Sequence, residues 1–102
     1  MNRYSEMFAD LLQEKFSEDT FTVNRGRKYD KIVHNHSVYA FVNVETGELI
    51  KAAGWNAPAL NKDKETAGKY FLDTAEGVHI AILNADRFAG FLYSDFKVRI
   101  PA

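Results

Sequence analysis

The chain has 102 residues, of which 46% are hydrophobic and 14% aromatic, so one domain with a packed core is expected rather than general disorder. It has no cysteine, which excludes disulfides, thiolate zinc sites and a cysteine nucleophile, and which favours a reducing compartment. The net charge of −1 gives no global attraction to nucleic acid or anionic lipid. No signal-peptide pattern opens the sequence, and no stretch approaches the roughly 20 apolar residues of a membrane span. A soluble protein of the cytoplasm is therefore expected.

Charge is unevenly distributed over the first third of the chain. Residues 1–19 carry two basic and five acidic side chains, whereas residues 20–36 carry four basic and one acidic. The four basic side chains are Arg25, Arg27, Lys28 and Lys31. Either the two segments lie on different exposed faces, or the second one forms a basic binding edge.

Residues 3–16 are predicted to form an amphipathic helix. Their apolar side chains share one stripe at helical spacing, namely Tyr4, Met7, Phe8, Leu11, Leu12 and Phe16. Asn2 is placed to cap the first turn, and residues 17–19 end the helix in a polar turn. The strands that follow are the expected partner of the apolar stripe.

Four strands are predicted after this helix, over residues 20–25, 28–34, 38–44 and 48–53, because β-forming residues alternate there. Gly26 separates the first two strands, and a short turn leads into the third. Gly47, in the connection to the fourth strand, can supply a positive φ. Strands that are neighbours in sequence then pair as hairpins, which makes an antiparallel meander.

Two segments of the second half are predicted to be loops. Residues 56–58 are read as a loop that begins a helical turn, with Pro58 at an early position. Residues 61–68 are polar and charged, which is typical of a mobile surface loop. At the end of the chain, residues 96–100 alternate as a half-exposed strand that Pro101 terminates.

A second helix is predicted between these loops and the last strand. Asp73 and Glu76 form a capping arrangement for a helix that runs to about Asn84. The apolar run of residues 78–83 would also suit a buried strand, and helix is the favoured reading. The predicted fold class is therefore α+β: an N-terminal helix packed on an antiparallel meander, a second helical segment and a C-terminal strand.

Four segments in the middle of the chain combine into a recognisable pattern: Arg27-Lys28-Tyr29-Asp30-Lys31-Ile32-Val33, the strand from Val38 to Val42, Thr46-Gly47-Glu48, and Lys51-Ala52-Ala53-Gly54-Trp55-Asn56-Ala57-Pro58-Ala59. Together they resemble a family of small proteins of tailed bacteriophages with the pattern R-K-Y-x-K-I-V, V-x-x-F-V-D-x-x-T-G-D and K-A-A-S-W-K-A-P-A. The resemblance covers about residues 25–60, and this sequence departs from it at Asn43, Gly54 and Asn56. That family has no named activity. The resemblance implies a phage accessory protein of unknown function that acts in the host cytoplasm.

His34 and His36 are the first side chains that could carry chemistry. A spacing of two on a strand puts both imidazoles on one face, as in some metal sites. A metal needs further ligands, and His79 is the only other histidine. Two histidines that flank a turn without a metal are the simpler reading, and no cofactor is predicted.

No catalytic motif is visible in the sequence. The serines lack the context of a nucleophile elbow, and the six glycines are scattered without a phosphate-binding loop. An enzyme would need a polar pocket that only a structure can show.

The basic segment is interleaved with aromatic residues, as in many surfaces that hold single-stranded nucleic acid. The cations and rings concerned are Arg25, Arg27, Lys28, Lys31, Phe21, Tyr29, Tyr39 and Phe41. The alternative is that these rings belong to the core under the first helix. Since both faces of strand 38–44 carry bulky groups, either one aromatic face is open or a second helix covers it.

Trp55 is the only tryptophan and is expected to be structural. Burying an indole removes about 150–250 Å² from water, which at about 25 cal/mol per Å² is worth roughly 4–6 kcal/mol. The alternative is an exposed anchor for a partner protein, on a loop that Pro58 and Ala59 stiffen.

The leading functional hypothesis is a non-catalytic accessory protein that binds a host or phage macromolecule, most readily a protein. A small nucleic-acid-binding module that uses the basic aromatic hairpin of residues 21–41 is the first alternative, and a small enzyme is the second. No membrane association is expected. The exposed edges of a meander would allow a homodimer.

Overall fold

The computed structural model describes residues 3–59 and 70–92. Its helices and strands are α1 (Tyr4–Lys15), β1 (Phe21–Asn24), β2 (Tyr29–His34), β3 (Ser37–Asn43), β4 (Leu49–Ile50), β5 (Ala52–Gly54), β6 (Ala57–Pro58) and α2 (Ala75–Asn84), followed by a 3-10 turn at Gly90–Leu92. The fold is α+β, as predicted. The expected cap Asn2, the expected loop over residues 61–68 and the expected strand over residues 96–100 lie outside the described residues.

The main sheet is a four-stranded antiparallel meander in the order β1-β2-β3-β4, which confirms the prediction. Two left-handed residues close its hairpins: Asn35, with φ of 56°, between β2 and β3, and Gly47, with φ of 78°, between β3 and β4. Asparagine and glycine are the residues that adopt this conformation most readily. Gly47 also touches the backbone of Leu72, because a Cβ built on it would lie 2.7 Å from the carbonyl carbon of that residue.

A β-bulge interrupts the pairing of β2 with β3. Ile32 pairs with Ala40 and Val33 pairs with Val38, so Tyr39 has no partner in the ladder. Tyr39 and Ala40 are both buried in the main core. The extra residue therefore lets β3 direct two consecutive side chains towards the same face, which strict alternation would forbid.

Both helices contribute to one hydrophobic core with the inner face of the sheet. Phe8 and Leu12 of the predicted α1 stripe are fully buried there, as are Val78 and Ala81 of α2. Residues 78–83 are helical, as favoured from the sequence. The outer face of the sheet, which alternates with the core face, carries Phe41 and lies on the side away from the helices.

The cap of α2 differs from the prediction. Thr74, not Asp73, is the N-cap, and its Oγ1 accepts a hydrogen bond of 3.0 Å from the backbone N–H of Gly77. Threonine is also a favoured N-cap residue, because its hydroxyl oxygen can accept from a free N–H of the first turn. At the start of α1 the N-cap position is held by Arg3, whose side chain does not cap the helix.

The predicted end of the fourth strand is also wrong. Residues 48–53 do not form one strand: β4 ends at Ile50, and β5 starts a separate two-stranded hairpin with β6. The predicted helical turn at Pro58 is wrong as well, because Pro58 pairs with Ala52 in that hairpin. Proline is compatible with this position because, within residues 3–59 and 70–92, the hairpin has two strands and Pro58 lies on an edge.

Candidate functional site

Trp55 lies at the tip of the hairpin β5–β6 and is 49% exposed. Trp55 and Asn56 form the two-residue turn between β5 and β6. The expectation that the single indole is a large part of the core is therefore wrong. A two-residue turn holds its side chains outside the hairpin, so the ring is presented to solvent while its backbone stays fixed.

Lys31 joins the tip of this hairpin to the outer face of the main sheet. Its Nζ lies 4.2 Å from the centroid of the Trp55 ring and donates a hydrogen bond of 3.2 Å to Oδ1 of Asn56. A cation over an indole face is worth about 0.5–1 kcal/mol when exposed. Lys31 of β2 thus favours this orientation of the Trp55 ring.

The outer face and the hairpin together form one surface, here called the tryptophan face. It consists of Tyr29 and Lys31 of β2, Phe41 of β3 and the hairpin β5–β6. Tyr29 is half-buried and packs edge-on against Phe41, with ring centroids 6.2 Å apart. Phe41 itself is buried, so the large side chains of this face that a partner can touch are Tyr29, Lys31 and Trp55.

A hollow of about 340 Å³, the hairpin groove, lies at one end of the tryptophan face. It is bordered by the β2–β3 turn, the first residues of β3 and all of β5, through His36, Ser37, Val38, Ala52, Ala53, Gly54 and Trp55. Nothing lies within 4 Å of a Cβ built on Gly54, so this wall is open.

A second hollow of about 240 Å³, the basic groove, lies at the opposite end of the same strands. It is bordered by Arg27, Lys28, Asn43, Val44 and Glu45, where the first residue of β2 pairs with the last of β3. The Nζ of Lys28 lies 5.7 Å from the ring centroid of Tyr29. Cations therefore continue from the basic groove onto the tryptophan face.

Three residues of the predicted binding set are engaged inside the protein and are not available to a partner. Tyr39 and Phe41 are buried, at 3% and 4% exposure, so neither can stack on a ligand. Arg25 lies 3.3 Å from Glu6 and 2.9 Å from Asp30 in ion pairs. These three residues lie in different places: Tyr39 is in the main core, Phe41 is on the outer face of the sheet, and Arg25 is paired with carboxylates of α1 and β2.

Asp30 explains why Arg25 is structural. Its carboxylate is fully buried and accepts hydrogen bonds from Ser5 Oγ at 2.9 Å, from Arg25 Nη1 at 2.9 Å and from the backbone N–H of Gly26 at 3.3 Å. A buried carboxylate is tolerated when its lone pairs are satisfied in this way. The network ties α1 to the β1–β2 loop.

The two histidines proposed as weak metal candidates do not share a face. His34 is the last residue of β2 and is buried, whereas His36 lies in the turn and is exposed. The reason is that β2 ends and Asn35 adopts a left-handed conformation, so the alternation of a strand stops. Within residues 3–59 and 70–92, no group of three or more histidine and carboxylate side chains could hold a metal ion.

His34 belongs to a second polar cluster, on the helix side of the sheet. Its Nε2 donates to Oδ2 of Asp19 at 2.7 Å, and Arg87 Nε lies 3.1 Å from the same oxygen. The imidazole stacks on Phe21 at 4.7 Å and packs edge-on against Phe88, which is 76% exposed. The hydrogen bond from His34 is the main reason that the pKa of Asp19 lies below its ordinary value. The cluster joins the α1–β1 loop, β2 and the segment after α2.

The sequence pointed to part of the tryptophan face and missed the rest. Its binding candidates include Lys31 and Trp55 of this face, and Arg27 and Lys28 of the basic groove, but it did not show that Asn56 bonds to Lys31 or that His36 borders the same groove as Trp55. Alternation along β2 places Tyr29 on the same face as Lys31, and this signal was available. Nothing in the neighbouring sequence indicates that the hairpin β5–β6 folds back onto that face.

The comparisons with known proteins give a family but no activity. Residues 1–94 match a family of unknown function, DUF7717, and the chain belongs to that family. No curated protein and no solved structure matches the chain. None of the helices in the described ranges is both long and apolar enough to span a bilayer.

Proposed function

We propose that this chain is a non-catalytic binding protein whose contact surface is the tryptophan face. The observation that carries the proposal is the half-exposed indole of Trp55, fixed by the ammonium of Lys31 at 4.2 Å. A large ring that is exposed and already ordered loses little conformational entropy on binding, and tryptophan is enriched among interface hot spots.

The polar clusters of the described residues have evident structural uses, which supports a binding role over a catalytic one. Asp30 ties α1 to the β1–β2 loop, and Asp19 joins two loops to His34. Both are engaged in fixed contacts on the helix side. On the tryptophan face, in contrast, the Trp55 ring is half-exposed and the Lys31 side chain is partly exposed.

The proposal includes a biological setting, which the resemblance to proteins of tailed bacteriophages supplies. In that setting the chain is an accessory protein that is made during infection and acts in the host cytoplasm. Its partner is a host or phage macromolecule. A protein partner and a nucleic acid partner can both use an ordered indole, and the nuclease arm of the experiment below separates them.

The experiment is an affinity capture from bacterial lysate with the tagged full chain, read by mass spectrometry and by nucleic acid quantification, with and without nuclease. Trp55→Ala is compared with Leu83→Ala, because Leu83 is 43% exposed but lies on α2. We expect a component that the wild type and Leu83→Ala retain and that Trp55→Ala loses. Equal retention by Trp55→Ala would show that the contact surface lies elsewhere.

A further inference from the structure

We infer that the tryptophan face binds single-stranded nucleic acid, with a base stacked against Trp55 in the hairpin groove and phosphates beside Lys31, Lys28 and Arg27. This inference names the partner class of the surface described above, and it rests on the proposed function.

The first support is the shape of the hairpin groove. One face of the indole is covered by the Lys31 ammonium, and the exposed part of Trp55 borders the groove together with His36. The wall between them is made of Ala52, Ala53 and Gly54, which have little or no side chain. A planar base can stack on the exposed indole here, and the small residues of this wall let it approach the backbone.

The second support is the line of cations that leads away from this slot. Lys31 adjoins the indole, and Lys28 with Arg27 borders the basic groove at the far end of β2. Arg27 and Lys31 are four residues apart, which is about 13 Å of extended chain at about 3.3 Å per residue. Two or three successive phosphates of one strand can therefore lie beside these cations, while Glu45 in the basic groove is the one carboxylate among the described residues that border either groove.

The third support is the opposite charge of the helical side. Exposed carboxylates recur every four residues along α1 and just beyond it, at Glu6, Asp10, Glu14 and Glu18. Residues four apart lie on the same side of a helix, so this stripe repels phosphates from the helical side. Within the described residues, acidic side chains on α1 and basic side chains beside the tryptophan face are thus separated, and a net charge near zero does not weigh against binding there.

Single-stranded rather than duplex nucleic acid follows from the stacking geometry. Bases in a duplex are already stacked and paired, and only an unpaired base can enter a slot beside an indole. A protein partner would use the same ring but would not need the cations at the far end of β2. The two partner classes therefore differ in their dependence on Lys28.

The primary test uses Trp55 as its own reporter, because the chain has a single tryptophan. Wild-type protein is titrated with an oligonucleotide of about 12 pyrimidines at about 50 and 200 mM salt, and the indole emission is recorded. We expect saturable quenching, with affinity that falls by roughly tenfold between the two salt concentrations if two or three phosphates are neutralised.

Variants test the residues separately, with affinity measured by anisotropy of a labelled oligonucleotide. Trp55→Ala should weaken binding by about fivefold or more, as loss of a stacked base does, while Leu83→Ala should not. Lys28→Glu should weaken binding, and Arg3→Glu, the same charge change beside the helical side, should not. Glu45→Gln should tighten binding by about twofold or more, a gain that a purely structural role would not produce.

Thermal unfolding of each variant separates lost binding from lost fold. An absence of quenching at low salt, or equal affinity for Lys28→Glu and Arg3→Glu, would overturn the nucleic acid inference. If the lysate experiment then still gave a nuclease-resistant component that depends on Trp55, the proposed function would stand with a protein partner. If it gave none, both would fail.

Discussion

Lys15, near the end of α1, caps the other helix: its Nζ donates to the backbone carbonyl of Ala85, the C-cap residue of α2, at 2.7 Å. It also donates to the carbonyl of Ile82 at 2.7 Å. The last carbonyls of a helix have no partner within it and carry partial negative charge, which an ammonium group stabilises. The two helices are therefore joined by a charge as well as by packing.

Replacing this ammonium should destabilise the fold by about 1 kcal/mol. Hydrogen bonds to charged groups contribute about 1.5–3 kcal/mol when buried, and partial exposure of Lys15 lowers this figure. The free energy of unfolding of Lys15→Met is measured by urea titration. Lys28→Met, at an exposed site, is the control and should change stability by less than about 0.5 kcal/mol. Equal stability of the two variants would argue against the cap.

Loss of the buried carboxylate of Asp30 should cost more. Asp30→Ala removes the acceptor that Arg25 and Ser5 share and leaves the buried Ser5 hydroxyl without it, for which about 3 kcal/mol is expected, although Arg25 keeps its pair with Glu6. Chemical unfolding of Asp30→Ala and of Asp10→Ala, an exposed carboxylate of α1, gives the comparison. A loss below about 1 kcal/mol for Asp30→Ala would mean that water replaces the carboxylate.

Replacement by alanine should destabilise the fold at Gly47 and leave its stability nearly unchanged at Gly54. At Gly47 alanine must adopt a positive φ, which costs about 1–2 kcal/mol, and its Cβ would lie 2.7 Å from Leu72. At Gly54 nothing lies within 4 Å and no positive φ is required, so alanine should be nearly neutral. Melting temperatures of the two variants test this contrast, and a similar loss at both sites would contradict it.

Asp19 should make the fold sensitive to acid. Its pKa is lowered, chiefly by the hydrogen bond from His34, so the folded state binds its proton more weakly than the unfolded chain does. The resulting stability is present above the ordinary pKa of 3.8 and is lost as the pH falls below it. The stability difference between wild type and Asp19→Asn should therefore be largest near neutral pH and shrink in acid. A difference that stays constant with pH would mean that the carboxylate charge is not what matters.

Lys31 should control the mobility of the indole. Lys31→Ala removes both the cation over the ring and the hydrogen bond to Asn56, so Trp55 should become more accessible to acrylamide quenching. Tyr29→Ala changes the same face but leaves the contact intact, and should have a smaller effect. Identical quenching constants in all three proteins would show that the hairpin alone orders the ring.

Much of the fold could be predicted because its signals are local. The apolar stripe of α1, the alternation of the strands and Gly47 in its turn all depend on neighbours in sequence. The α2 cap shows the limit of such signals. Asp73 and Thr74 are adjacent residues that can both cap a helix, and the backbone path rather than the capping preference decides which one starts it.

The site was less predictable because burial is decided by tertiary contacts. The sequence around Trp55 does not show that the hairpin folds back onto β2, where Lys31 lies on the outer face. The same holds for Arg25, which looked like a ligand contact until Asp30 proved to be buried beside it. Rings in the middle of strands, such as Phe41, could equally be core or surface until both sides of the sheet were known.

The bulge at Tyr39 has a consequence for how this chain tolerates change in length. Because Val38 and Ala40 pair with consecutive residues of β2, removing Tyr39 would leave the remaining pairs in regular alternation. A one-residue deletion there would keep every other side chain on its present face, whereas a deletion elsewhere in β3 would reverse the residues beyond it. Tyr39 has the character of an insertion: it adds a ring between Phe8 and Phe91 and a hydrogen bond to the carbonyl of Asp86. Relatives that lack this residue would be expected to keep the sheet and to fill the space beneath it in another way.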